Sequence, residues 1–176
     1  MEPKNQMSKT EEVYLYIIRK SQSNTNFGAT LFNKILYFSD FDFYEQYRTS
    51  ITGDTYIRSP HGPTAKNFRN VIDSLKEKKL MKEFRIVKPN GHTQIRYILT
   101  DEFEPVQLGN EELNELERNM ARLGGMTAQQ VSEYSHQDMP YKATKDNEEI
   151  DYDLVFYRNP VYAATNEDSD VIETES

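Results

Sequence analysis

A chain of 176 residues with 21 basic and 29 acidic side chains, no cysteine and no tryptophan can bury a core without help from metal or disulfides. The lack of cysteine excludes disulfides, thiolate metal sites and thiol nucleophiles together. No apolar run approaches the roughly 20 residues needed to cross a bilayer, and residues 1–25 contain no signal-peptide core, so a soluble, cytoplasmic protein is expected. The formal charge of −8 is unevenly spread. Residues 163–176 hold five acids (Glu167, Asp168, Asp170, Glu173, Glu175) and no base, and without them the remaining chain is close to balance.

Residues 1–7 are polar and aperiodic and are expected to fray. Ser8-Lys9-Thr10-Glu11 reads as a capping box, opening a first helix on which Val13, Tyr14, Ile17 and Ile18 keep helical spacing to about Lys20. A second helix over about 29–47 carries Leu31, Ile35 and Phe38 on one stripe and Phe32, Leu36 and Phe43 beside it. So wide a stripe predicts a central helix packed on several sides. Residues 48–62 form a connector, with Thr52-Gly53-Asp54 as a turn and Thr55-Tyr56-Ile57 as a short strand. Gly62-Pro63-Thr64 is then expected to open a third helix bearing Phe68, Ile72 and Leu75, with Pro63 in its first turn.

A hairpin over 83–99 follows. Asn90-Gly91 at its tip suits a type I′ turn, which would pair Ile86 with Ile95 and Phe84 with Tyr97 on one face, turned toward the third helix. The same register sets Arg85 opposite Arg96, a like-charge pair that costs stability. Beyond an acidic linker, Asn110 caps a helix with Leu113, Leu116, Met120 and Leu123, stopped by Gly124-Gly125. Thr127-Ala128-Gln129-Gln130 is a second capping box, for a helix through about Ser135. Residues 137–160 show little periodicity, although Tyr152, Leu154 and Phe156 alternate as a strand would. The tail beyond about 163 is expected to be disordered. The whole reads as a single compact α+β domain, mainly helical, over about 8–160, with a winged-helix-like helix and β-hairpin.

That helix-plus-hairpin plan admits two uses. In winged helix-turn-helix proteins the helix before the hairpin enters a major groove, and residues 66–88 hold eight bases against three acids (Asp73, Glu77, Glu83). Lys66, Arg69, Arg85 and Arg96 are the candidate nucleic-acid contacts. A solvated helix face and a lysine-bearing edge strand explain the same charges, and winged helices also bind proteins. Enzyme signatures are missing: no phosphate-cradling GxxxxGK[ST], no GxGxxG, no HExxH and no GxSxG. His61, His92 and His136 are scattered. A His61–His136 pair with Asp40 or Asp54 is the one arrangement that could supply acid/base or metal chemistry, and nothing in the spacing compels it. No cofactor or metal is expected, and the chain reads as a non-enzyme.

Residues 34–64 supply the most specific pattern: Lys34-Ile35-Leu36-Tyr37-Phe38-Ser39-Asp40, then Ser50-Ile51-Thr52-Gly53-Asp54-Thr55-Tyr56, then Pro60-His61-Gly62-Pro63. In order and spacing these segments resemble the SocA-like antitoxin family, the Panacea domain, which includes phage-associated proteins. The resemblance runs over about residues 10–157 and continues more weakly through the hairpin and Val131–His136. It departs at Met139-Pro140-Tyr141, where many relatives carry a Trp. It implies a non-enzymatic antitoxin that binds a cognate protein toxin directly, in some relatives as an adaptor or chaperone-like binder; a DNA-binding regulator is the alternative. Tyr37, Asp40, Asp54, Tyr56 and His61 are the candidate partner contacts. For Asp40 and Asp54 the competing role is to hydrogen-bond the 51–63 loop.

Overall fold

The computed structural model describes residues 6–164. Helix α1 (Lys9–Ser21) opens with both halves of the Ser8/Glu11 capping box in place. Glu11 also receives Lys78 Nζ at 2.8 Å and Ser74 Oγ at 2.6 Å. Burial pushes its carboxyl up, yet the hydrogen bonds from Lys78, Ser74 and the Ser8 amide outweigh this and hold it below the usual carboxylate range. The expected fraying of residues 1–7 stops short of this point. The Gln6 carbonyl accepts from Lys78 and Met7 packs on the core, while residues 1–5 lie outside the described residues.

Helix α2 (Ala29–Tyr47) is the axis of the fold, with every residue from Leu31 to Phe43 buried. Helices that are apolar all round belong in interiors. This one instead carries Asn33, Lys34, Ser39, Asp40 and Asp42 among its buried residues, and each such group needs an internal partner. Two aromatic clusters flank the helix. Phe32 meets Tyr14, Phe27, Phe68 and Tyr97 with ring centroids 5.1–5.4 Å apart. Phe41 stacks on Tyr152 at 4.3 Å and lies edge-on to Tyr56.

Strands β1 (Tyr56–Ser59) and β2 (Gly62–Ala65) form an antiparallel pair, with Tyr56 opposite Ala65 and Ser59 opposite Gly62. The expected helix start at Gly62-Pro63-Thr64 is therefore corrected. These residues are strand, and α3 (Phe68–Glu77) begins later. The cause is tertiary. The buried Asn33 side chain accepts from the Ala65 amide at 3.0 Å, and Lys34 donates to the Pro63 carbonyl at 3.0 Å. Pro63 lacks an amide hydrogen and is tolerated on a two-stranded edge.

Helix α3 leads directly into β3 (Met81–Val87) and β4 (Thr93–Leu99). The hairpin forms, but its register is one residue away from the expected one. Glu83 faces Tyr97, Phe84 faces Arg96, Arg85 faces Ile95 and Ile86 faces Gln94. The turn explains the slip. Asn90 is not left-handed, whereas Gly91 has φ 85°, and Lys88 closes the loop through its bonds with Gly91 and His92. This is a three-residue connection with Pro89 inside the turn and a left-handed glycine after it, rather than a two-residue type I′ loop. A one-residue slip exchanges the faces of one strand. Tyr97 and Ile95 face the core, while Phe84 and Ile86 are 39% and 40% exposed. The Arg85/Arg96 opposition is absent as well, and Arg96 donates to the Gln22 carbonyl at 2.9 Å.

Helix α4 (Asn110–Leu123) is capped at Gly109, one residue before the expected cap, with the Glu112 carboxylate accepting the Gly109 amide. It packs along α2, as does α5 (Ala128–His136), which opens with the expected Thr127/Gln130 box. A short α6 (Met139–Lys142) follows, and Tyr152–Tyr157 forms a 3₁₀ helix instead of the expected strand. Asp151 caps that turn through the Asp153 amide, and Tyr152 is anchored by donating to the Asp54 carbonyl at 2.6 Å. At the far end, the Ala164 amide reaches Glu45. The expectation of a disordered tail falls on residues 165–176, outside those described. The result is an α+β fold with a single core around α2.

Candidate functional site

The motif residues converge on the buried side of the 51–67 loop. Asp40, 1% exposed, accepts the amides of Ile51 and Thr52 at 2.8 and 2.9 Å, the Thr52 hydroxyl, and Tyr56 Oη at 2.6 Å. Burial still pushes its carboxyl above the ordinary value against the pull of those bonds. Asp54 accepts the Asn67 side chain at 3.0 Å and the Thr55 amide at 2.7 Å. Tyr37 donates to Asp138 at 2.7 Å from a fully buried position. Of the five candidate partner contacts, Tyr37, Asp40 and Tyr56 are thus interior, Asp54 is 8% exposed, and only His61, at the β1–β2 turn, faces solvent.

A second polar centre was not read from the sequence. Arg158 lies just past the 3₁₀ helix and is buried. It donates to Asp138 at 3.0 and 2.9 Å, to Asp42 at 2.6 Å and to Glu45 at 3.4 Å. Burial alone would weaken its charge, but Asp42 and Asp138 more than restore it. Burial raises Asp138 in turn, against the Arg158 and Tyr37 hydrogen bonds. The available signal was the set of acids at 40, 42 and 45 on a helix that is otherwise core, since a buried charge demands a distant counterion. Lys34 is more unusual. It is 1% exposed, its ammonium has one hydrogen-bond partner among the described residues, the Pro63 carbonyl, and burial pushes its pKa down to about 7.

The histidine site does not assemble. The Asp40 and Asp54 oxygens are taken by loop groups, and His136 stacks on Tyr141 with ring centroids 4.9 Å apart. Among the described residues no group of three or more His, Cys, Asp or Glu side chains is placed to hold a metal ion, and no helix is long and apolar enough to cross a membrane.

The candidate nucleic-acid residues do not form a common free surface. Arg69 grips Glu83 through both terminal nitrogens at 3.1 and 2.8 Å, and Lys76 joins the same carboxylate at 3.2 Å. These bonds, set against partial burial, keep Glu83 below its ordinary value. Lys66 pairs with Glu149 at 3.2 Å, and Arg96 is 9% exposed and bonded to Gln22. Arg85 alone of the four is open to solvent without an ionic partner among the described residues. It sits on β3 with the exposed Phe84, Ile86 and Val87.

The family model of the SocA-like antitoxins, Panacea domain, matches residues 32–142, from the first turn of α2 to the end of α6. The chain therefore belongs to the SocA-like antitoxin family. No curated protein and no solved structure matches it. The matched span contains the Asp40 and Asp54 hubs and the whole hairpin, but neither α1 nor Arg158.

Proposed function

We propose that this chain is a non-enzymatic antitoxin that neutralises a protein toxin in the cytoplasm by binding it directly. Family membership supplies the antitoxin role. The observation that favours binding over catalysis is that the hydrogen-bonding capacity of Asp40, Asp54, Tyr37 and Tyr56 is directed inward, to loop amides, to Asp40 itself and to Asp138 at the start of α6. A catalytic constellation needs such groups aimed at a shared open space. Here they hold the 51–67 loop onto α2 and so shape a surface for a partner.

Direct phosphate binding is disfavoured as the main activity because Lys66 and Arg69 already face carboxylates. The test is co-expression with the product of each adjacent reading frame. One of them should arrest growth alone, and this chain should restore it and co-elute with that product. The reading is overturned if neither neighbour is toxic, or if a folded, expressed chain gives no relief. An electrophoretic mobility shift on upstream DNA separates the alternative, since phosphate binding weakens steeply with salt.

A further inference from the structure

We propose that the outer edge of β3 is the strand on which the toxin docks, by adding an extended segment that carries both apolar and acidic side chains. The inference rests on the antitoxin reading and assigns its contact surface.

The backbone defines the edge. Antiparallel pairing alternates residues bonded to the partner strand with residues whose amide and carbonyl point away. Lys88 bonds to His92 and the Thr100 amide bonds to the Leu80 carbonyl, so residues of even number on β3 face β4. The backbone groups of Glu83, Arg85 and Val87 point outward, and no described residue bonds them. Strand addition uses such a row, with pockets or patches for alternate side chains giving selectivity.

The side chains define the occupant. Phe84, Ile86 and Val87 are 39%, 40% and 72% exposed. Lys82 and Lys88 bracket Phe84 and Ile86 on one face and Arg85 adjoins Val87 on the other, and the three cations have no carboxylate partner among the described residues, in contrast to Lys66, Arg69, Lys76 and Lys78 nearby. Cations on an edge strand repel a second copy and attract an acidic segment. The chain's own acidic residues 167–175 have a suitable charge, with Val171-Ile172 among them. Geometry argues against them. Ala164 is tied to Glu45 near the C-terminal end of α2, whereas β4 lies on Gly28 at its start. That separation is about 25 Å along the helix axis, which the seven residues to Val171 would use up at full extension, so of the five acids only Glu173 and Glu175 lie beyond that point. They would also have to pass around the body of the fold to reach β3.

Arg85→Pro is the decisive variant, because it deletes an outward amide and leaves the β3–β4 bonds in place, as proline on an edge strand can. Arg85→Glu serves as the second variant should the proline one fail to fold. With the toxin identified by co-expression, both should weaken binding at least about tenfold, the worth of one backbone hydrogen bond or more, and reduce protection. Tyr157→Asp, on the far aromatic surface, should not. Protection by the wild type that both hairpin variants match overturns the edge assignment and leaves the antitoxin reading standing; no protection by the wild type overturns that reading instead.

The edge itself is then judged with a synthetic Glu-Val-Glu-Ile-Glu-Val peptide added to the full chain. It should shift the amide resonances of Glu83, Arg85 and Val87 at low salt, and a Lys-Val-Lys-Ile-Lys-Val peptide should not. No shift, shifts confined to the exposed Tyr47, Phe156 and Tyr157 near the C-terminal end of α2, or shifts that emerge only after removal of residues 165–176 would each overturn the proposal.

Discussion

Lys34 and Gly62 are fitted to one another: a Cβ on Gly62 would stand 2.5 Å from Lys34 Cε and 2.4 Å from Ser135 Oγ. Gly62 also has φ 107°, a region that side-chain-bearing residues avoid. Gly91 has φ 85° too, but nothing lies within 4 Å of its missing Cβ. Gly91→Ala should cost about 1 kcal/mol, the conformational penalty alone. Gly62→Ala should cost about 3 kcal/mol or more, because it adds overpacking at a buried crossing of α2, β2 and α5. Urea denaturation of the two variants measures the difference.

Lys34 should make stability rise with pH. Its folded pKa is about 7, against 10.5 ordinarily, so between these values the unfolded chain holds a proton that the folded chain has released. Stability then increases with pH by up to about 1.4 kcal/mol per unit. Below pH 7 the folded state carries the full penalty of a buried ammonium. Lys34→Met should remove the slope and be the more stable protein at pH 6. Denaturation midpoints at pH 6, 7, 8 and 9 report it. Above about 10 the sign reverses, because tyrosines ionise in the unfolded chain while Tyr37 and Tyr56 stay neutral in the folded one.

Asp40 separates two roles of one carboxylate. Asp40→Ala strands the Ile51 and Thr52 amides and Tyr56 Oη, and should cost about 3 kcal/mol. Asp40→Asn keeps an acceptor and should cost less. The folded pKa of Asp40 is raised, so its contribution is fully present below the unfolded value near 4 and is lost as pH rises through the folded value. The gap between wild type and Asp40→Asn should therefore widen as pH falls from neutral toward 4. A gap that narrows over this range would contradict the assignment.

Arg158→Met leaves Asp138 and Asp42 buried beside each other with less counter-charge, Asp42 keeping Arg122 at 3.2 Å. Breaking such a network costs about 3–5 kcal/mol. Adding Asp138→Asn should recover part of the loss, since one uncompensated charge disappears while Tyr37 keeps an acceptor. A double-mutant cycle by chemical denaturation isolates that coupling.

Helices α1, α2 and α5 were legible in the sequence because the Ser8/Glu11 and Thr127/Gln130 boxes act within one turn and the apolar stripe of α2 is local. The errors share a cause in distance. Pro63 looked like a helix start because its bond to Lys34 spans the fold, and Tyr152 looked like strand because Phe41 and the Asp54 carbonyl fix it from afar. The hairpin register turned on whether Asn90 joined Gly91 in the left-handed conformation, as a type I′ turn requires, and with Pro89 inside the turn only Gly91 does. The antitoxin motifs were legible as a pattern. The inward role of Asp40 was legible too, as the competing hydrogen bonding to the 51–63 loop, in which it accepts the Ile51 and Thr52 amides; the Asp138 partner of Tyr37, about a hundred residues away, was not. Arg158 carried no local signal at all.

The placement of Arg158 also orders events during synthesis. Tyr37 and Asp42 leave the ribosome early, and Asp138 about a hundred residues later, yet the cation that neutralises both carboxylates is made last of all. Until translation has passed residue 158, α2 must carry Asp42 without its closest counterion, and the nascent chain has reason to stay loosely packed. An antitoxin built this way should gain protease resistance only after Arg158 has joined Asp42 and Asp138. A supply interrupted during translation would therefore yield degradable fragments instead of partially active ones.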